Sequence, residues 1–303
     1  MRSQLRFLFR ALVACAASVA VSTIRAEEPS SLDLAQAHAT ASDEKVKPDI
    51  FYLPTPQRVV DVMLLMAEVK KDDLLYDLGS GDGRLVVTAA KTYGARGIGI
   101  EIDPALLAIA RRNAARAKVE DKVEFRQQDL FTSDFKDATV ITLYLLDELN
   151  RRLRPQIFAQ VRPGTRVVSH AFHMGDWQPD AERKLTIEGK EYDAYFWVVP
   201  ANMSGRWKVS ADSGMKGIPE TIVIDQTFQE ISVRAADGDA VIAQGRLTGS
   251  EFYLTMSEAA GTKPVSFTGT VDGNSIKARG SRRGATFNAE REAGTEKPLE
   301  PAS

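Results

Sequence analysis

An apolar run at 74–78, LLYDL, carries Asp77 one residue from its end and passes directly into Gly79-Ser80-Gly81-Asp82-Gly83, then into RLVVTAAKTYG. Glycines in such a turn let the backbone reverse tightly and approach a ligand with no Cβ between them, and a helix start beyond it offers unpaired N–H groups. Two more carboxylates follow later apolar runs: Glu101 in GIEID and Asp129 in QQDLF. Each is an acceptor-only group, so Glu101 is placed to take a pair of ribose hydroxyls and Asp129 an adenine amino group. A pyrophosphate is disfavoured, because Asp82 inside the turn repels it. The third glycine of a dinucleotide fingerprint would fall on Arg84, which argues against a nicotinamide oxidoreductase.

Other chemistry is excluded by composition. Cys15 is the single cysteine, so an internal disulfide, a thiolate zinc site and a cysteine nucleophile are ruled out or disfavoured. His170 and His173 are spaced as HxxH, but no third ligand follows at a useful spacing beyond a distant Asp176, and no metal is expected. The 39 basic and 41 acidic residues leave a net charge of -2, which gives no electrostatic footprint for nucleic acid.

The elements that must hold these residues alternate. Apolar runs at 74–78, 97–100, 123–127, 139–145 and 166–170 read as strands, with helices at 84–93, 104–118 and 147–161 between several of them. Strands apolar on both faces and interleaved with helices indicate an α/β fold with a covered parallel sheet. Ahead of them, 55–69 reads as an amphipathic helix with Thr55 as N-cap, Pro56 at its first position and Val59, Val62, Met63, Met66 and Val69 on one face. Two runs around Gly189-Lys190 form a closing antiparallel hairpin, so the α/β domain spans 49–200. From 205 to 292 short alternating segments such as TIVIDQTFQ and ISVRA recur with DG and DGN turns, predicting a small all-β barrel or sandwich of seven or eight strands. Residues 293–303 read as a disordered tail. The basic run Arg151-Arg152-Leu153-Arg154 reads as a solvated helix face.

The N-terminus places Arg2, Arg6 and Arg10 before an apolar run of about 14 residues, shorter than a membrane span. It reads as an export signal over 1–26, followed by a flexible spacer over 27–48, and points to the periplasm with no stable membrane span once the leader is cleaved. The alternative is a tether through an uncleaved or lipidated N-terminus, with Cys15 in a lipobox-like setting.

YDLGSGDGR, GIEID, QQDLF and TLYLL, in this order, resemble the class I S-adenosylmethionine-dependent methyltransferases, whose fold is a Rossmann-like sheet. FYLPTPQRVVDVML, YLLDELNRRLRP and PGTRVVSHAF are similar to the non-SET protein-lysine methyltransferases, notably the ATP synthase c-subunit lysine methyltransferase type. The resemblance implies S-adenosylmethionine as cofactor, a protein substrate with lysine as methyl acceptor, and Asp77, Gly79, Gly81, Glu101 and Asp129 as donor-binding residues, joined by Ser80, Ile102 and Leu130. It makes Tyr52, Pro54 and Thr55 candidates for a lid. For an amine acceptor, Tyr144, Phe172 and Trp177 are expected to form a desolvating slot, with His170 a candidate general base. A small-molecule methyltransferase, or a non-catalytic envelope module that recognises a partner through its β domain, is the alternative. Export sits awkwardly with a cytosolic donor, yet the next methionine, Met63, lies inside the first helix, and a start there would remove the lid.

Overall fold

Strands β1 (Leu74–Leu78), β2 (Arg96–Glu101), β3 (Val123–Gln127), β4 (Val140–Leu143) and β5 (Arg166–His170) run parallel. The antiparallel hairpin β6 (Ala181–Ile187) and β7 (Lys190–Val198) joins through β5, so the sheet order is β3-β2-β1-β4-β5-β7-β6. The computed structural model describes residues 52–212, 218–256, 264–281 and 285–299. The expected leader and spacer lie outside the described residues. Three of the expected strands have the observed limits. The fourth is shorter than expected, because the chain leaves the sheet at Tyr144 and residues 144–146 turn into a cleft wall.

The helices α1 (Gln57–Met66), α2 (Arg84–Thr88, continued by a π-helical turn Ala89–Tyr93), α3 (Pro104–Ala117) and α4 (Asp147–Gln160) cover the sheet. Both sheet faces are buried, as parallel strands require. One apolar cluster joins α1, α2 and α3 to Leu75, Val140 and Val168. The other joins α4 to Ile141, Leu143, Val167, Trp177 and Trp197. Helix α1 buries Val59, Val60, Met63 and Leu64, a stripe rotated from the expected one, and it begins after Pro56 with no side-chain cap. Thr55 is not the N-cap: its hydroxyl is 3.1 Å from His170 Nδ1 at the end of β5.

Eight antiparallel strands follow: β8 (Gly205–Asp212), β9 (Thr221–Thr227), β10 (Glu230–Ala235), β11 (Val241–Thr248), β12 (Glu251–Met256), β13 (Val265–Asp272), β14 (Ser275–Gly280) and β15 (Thr286–Arg291). They close into a barrel, which leaves no free sheet edge. Alternate residues fill its interior, among them Trp207, Ile224, Phe252, Phe267 and Phe287. The Arg291 guanidinium lies 4.7 Å from the centre of the Trp207 ring.

The tail beyond 293 departs from the expected disorder. Lys297 N donates to Ser204 Oγ at 2.8 Å, its carbonyl accepts from Asn202 Nδ2, and its ammonium pairs with Asp225. Residues 300–303 lie outside the described residues.

Candidate active site

Strand order reverses between β1 and β4, and open parallel sheets bind ligands in the crevice at the carboxyl ends of the strands at such a point. Here β1 runs into the glycine turn and β4 into Tyr144. Gly79 N and Ser80 N both donate to Ile100 O at 2.9 Å, so the turn is pinned to the neighbouring strand. The resulting cleft has a volume of about 1160 Å³ and is lined by the turn, by Tyr52, Leu53, Pro54 and Thr55, and by Glu101, Ile102, Asp129 and Leu130. Tyr144 and Phe172 close another side.

The carboxylates have distinct tasks. Asp77 is buried and accepts a hydrogen bond from Thr142 Oγ1 at 2.7 Å across the β1–β4 pair. Burial first, then the charges of Asp82 and Glu101, push its carboxyl up to about 7 against the pull of Thr142. Glu101 accepts from Gly81 N at 2.8 Å through Oε2, and from Ile102 N at 2.8 Å and Asp103 N at 3.0 Å through Oε1. Burial raises its pKa while those three donors oppose the rise. A carboxylate has about four lone-pair positions, and three are taken, so in this geometry Glu101 has room for one more donor. Holding two ribose hydroxyls requires exchange of one backbone bond. Asp129 is exposed and one oxygen accepts from Phe131 N at 2.9 Å.

Asp82 does not face the cleft as a lone negative charge. Arg84 Nε and Nη2 grip its carboxylate, and Arg84 Nη1 donates to Thr55 O at 2.7 Å. Arg84, which in the sequence matters only as the residue replacing a glycine, thus ties turn to lid. The lid rests on the turn itself: a Cβ on Gly81, whose φ is +52°, would lie 2.3 Å from Tyr52 Cε2. Gly81→Ala is expected to cost about 1–2 kcal/mol through its positive φ and to displace the Tyr52 ring. Donor affinity should fall about tenfold by calorimetry, and an unchanged affinity would show that the ring is no part of the lid.

Aromatic rings cluster beside the lid. Tyr144 lies 3.9 Å from His170 and 6.0 Å from Phe172 between ring centroids, and His170 is 5.9 Å from Tyr192. Burial pushes His170 down to about 4, with Asp193 acting weakly the other way. Burial also raises Tyr144, so the phenol keeps its proton. His170 packs behind Tyr144 with its Nδ1 3.1 Å from the Thr55 hydroxyl, and it does not line the cleft; burial, which holds it below the usual imidazole range, disfavours the general-base role considered for it.

The expected slot is corrected at Trp177. It is fully buried against Phe158, Trp197 and Phe228 and does not line the cleft, because the chain after Phe172 folds away over α4. The cleft wall keeps Tyr144 and Phe172, with Tyr192 packed behind it against the His170 ring. The expected solvated face of α4 is also only partly so. Arg152 lies over the Phe131 ring at 3.8 Å and lines the cleft, and Arg154 is buried with bonds to Met174 O and Asp176. His173 stacks on Tyr195 rather than sharing partners with His170.

These residues fit a ligand with an adenosine end and a cationic amino-acid end. Ser80 Oγ is buried on the cleft wall with no hydrogen-bond partner among the described residues, a state native proteins rarely leave unfilled. The carboxylates Asp77, Glu101 and Asp129 are spaced along the same rim. Sheet, cleft and donor-binding set together define a class I methyltransferase.

The family model described as "ANTKMT methyltransferase domain" matches residues 77–181. A protein-lysine N-methyltransferase of Saccharolobus islandicus is 37% identical over 50% of this chain and 95% of its own length. The mouse adenine nucleotide translocase lysine N-methyltransferase is 29% identical over 56% of this chain and 71% of its length. A crystal structure described as an RNA methyltransferase from Salinibacter ruber, in complex with S-adenosyl-L-homocysteine, is 56% identical over 50% of this chain and 96% of that one, with a TM-score of 0.47. The chain belongs to the class I S-adenosylmethionine-dependent methyltransferases of the protein-lysine N-methyltransferase type, with residues 77–181 forming an ANTKMT-like methyltransferase domain, and its cofactor is S-adenosylmethionine.

Proposed function

We propose that the protein methylates the side-chain amine of lysine in a protein substrate. The observation that carries this reading is the aromatic wall of Tyr144 and Phe172 on the donor cleft beyond the ends of β4 and β5, with the buried His170 ring packed behind Tyr144 and Tyr192 behind His170. When bound, the donor supplies an electrophilic methyl on a sulfonium, and the positive charge of that sulfonium disappears on transfer. An incoming amine must be neutral and in line, so alignment and desolvation matter more than covalent chemistry.

Walls of this kind lower an amine pKa by withholding water from its charged form. Tyr144 offers a phenol oxygen that accepts a hydrogen bond from the amine and directs its lone pair. Thr55, bonded to His170, fixes the lid against the slot. The relatives' names support a protein acceptor, and the net charge of -2 supplies no overall positive field to draw in an RNA acceptor.

Incubation with methyl-labelled donor and separate protein and RNA fractions tests the reading, with label expected on protein lysines by mass spectrometry; label confined to RNA or small molecules overturns it. Tyr144→Phe should lower turnover about tenfold, by loss of one oriented hydrogen bond, with donor affinity unchanged. Equal turnover removes Tyr144 from the mechanism.

The reading extends to location. The arginine-led apolar N-terminus supports export to the periplasm, where envelope proteins would be the acceptors. Fractionation with N-terminal sequencing of the native protein tests this, and an intact cytosolic chain overturns it.

A further inference from the structure

Residues 171–180 connect β5 to β6 with no regular structure beyond a single bridge between Met174 and Trp177. This segment carries Phe172 into the cleft wall, so whatever holds it shapes the slot. Helix α4 holds one side through three residues on one face. Asp147 Oδ1 accepts from His173 N at 2.6 Å, Asn150 Nδ2 donates to His173 O at 3.1 Å, and Arg154 Nη1 donates to Met174 O at 2.5 Å.

The other side is held by the barrel. The two-residue turn between β9 and β10, Phe228-Gln229, inserts into the apolar cluster of the methyltransferase sheet. The Phe228 ring stacks at 6.1 Å on Trp177 and at 6.0 Å on Phe158, and the Arg154 guanidinium lies 4.8 Å from its centre. Its φ is +52°, a conformation a bulky residue keeps only where surrounding contacts enforce it.

Gln229 uses both ends of its amide across the junction. Its Oε1 accepts from Trp177 Nε1 and its Nε2 donates to Gln178 O, each at 2.8 Å, while its own carbonyl accepts from Leu247 N on β11. Arg246 on β11 adds an ion pair to Asp180.

We propose that the β9–β10 turn, through Phe228 and Gln229, positions the 171–180 segment and thereby the Phe172 wall of the acceptor slot, making the barrel a working part of the active site rather than an independent appendage. The proposal rests on the slot being where the acceptor binds. The chain of contact is direct: barrel turn to Trp177 and Arg154, Arg154 to the Met174 carbonyl, and α4 to the His173 backbone one residue earlier. Among the described residues, the side-chain hydrogen bonds and ring contacts of Phe228 and Gln229 go to the 171–180 segment and α4 rather than to the glycine turn or the donor carboxylates. Phe228 and Gln229 are therefore positioning residues whose loss separates acceptor handling from donor binding.

Phe228→Ala and Gln229→Ala in the full chain test this, with Phe228→Leu as the conservative control. Backbone hydrogen exchange at Ala171, Phe172 and His173 should quicken about tenfold in both alanine variants through local opening, with the Gly79–Gly83 amides unchanged. Affinity for S-adenosylhomocysteine should stay within about twofold, while kcat/KM for the protein fraction labelled by the wild type falls about tenfold. Phe228→Leu should recover most of both losses.

Wild-type exchange at 171–173 in folded alanine variants overturns the proposal, as does a uniform rise in exchange accompanied by lost donor affinity. If Phe228→Ala does not fold, Gln229→Ala, which removes two hydrogen bonds and little apolar volume, decides alone. If the wild type labels no protein at all, the lysine reading fails, and the exchange measurement still decides the coupling.

Discussion

Replacing Glu101 with alanine is expected to weaken donor binding about a hundredfold, equivalent to about 2.7 kcal/mol, and to lower the stability of the free protein by about 2 kcal/mol. The two effects share a cause. Three backbone N–H groups, from Gly81, Ile102 and Asp103, converge on one carboxylate and lose their acceptor together. Charge-assisted bonds of this kind are worth more than neutral ones, and buried donors left unpaired cost more than the bonds themselves.

The bond to Gly81 also sets how the glycine turn meets Tyr52, so its loss frees turn and lid at once. Glu101→Gln should fall between the extremes, because one amide oxygen remains but the NH2 now faces a backbone donor. Calorimetry with S-adenosylhomocysteine and urea denaturation measure the two effects separately. Donor affinity within threefold of wild type in the alanine variant would sink the assignment of this cleft as the donor site.

Much of this site is legible in the amino-acid order alone, because parallel strands leave a strong trace. LLYDL, VEFRQ and RVVSH are short segments with β-branched or aromatic residues at their centres, and each ends at or just before a chemistry-bearing residue or turn. The rule that ligands sit at the carboxyl ends of such strands then brings Asp77, Glu101 and Asp129 to one rim without further information. Sequence position says nothing, however, about which lone pairs are already occupied. Glu101 reads as a free ligand for two hydroxyls and turns out to be largely committed to its own backbone.

The readings that differ are those decided by tertiary partners. Thr55-Pro56 carries a sound helix-start signature, but His170, 115 residues away, captures the threonine hydroxyl. Arg154 sits in a basic run and is still buried, because Phe228, Asp176 and the Met174 carbonyl supply a ring and two acceptors. Trp177 lies close to Phe172 in sequence and reads as slot lining, yet the barrel claims it. The β9–β10 turn leaves no signal of its own. TIVIDQTFQ reads as a single strand, since a turn at Phe228-Gln229 has neither glycine nor asparagine to announce its positive φ. The turn through which the barrel reaches Trp177 and Gln178 is therefore among the least legible features of the chain.

Asp77 should make donor binding depend on pH. Its carboxyl is pushed up to about 7 in the free protein, chiefly by burial and secondarily by Asp82 and Glu101. The expectation rests on the donor's ammonium end lying over this carboxyl, where a cation favours the ionised form. Binding then draws the proton off. Below pH 7 the dissociation constant should fall up to about tenfold for each unit of rising pH and level off above it, with up to about one proton released per donor bound at the lower pH. Titrations in buffers of different ionisation enthalpy count that proton directly.

For the free protein the sign runs the other way. A carboxyl whose folded pKa exceeds the ordinary value near 3.9 binds its proton more tightly when folded, so stability falls as pH rises from about 4 to about 7 and this contribution is flat beyond. Asp77→Asn keeps an oxygen for the Thr142 hydroxyl and removes the titrating group. It should abolish the released proton and the pH slope, weaken donor binding about a hundredfold at pH 8, and unfold at higher denaturant than wild type at that pH. A variant that binds the donor with wild-type affinity and keeps the slope would place the ammonium elsewhere on the rim.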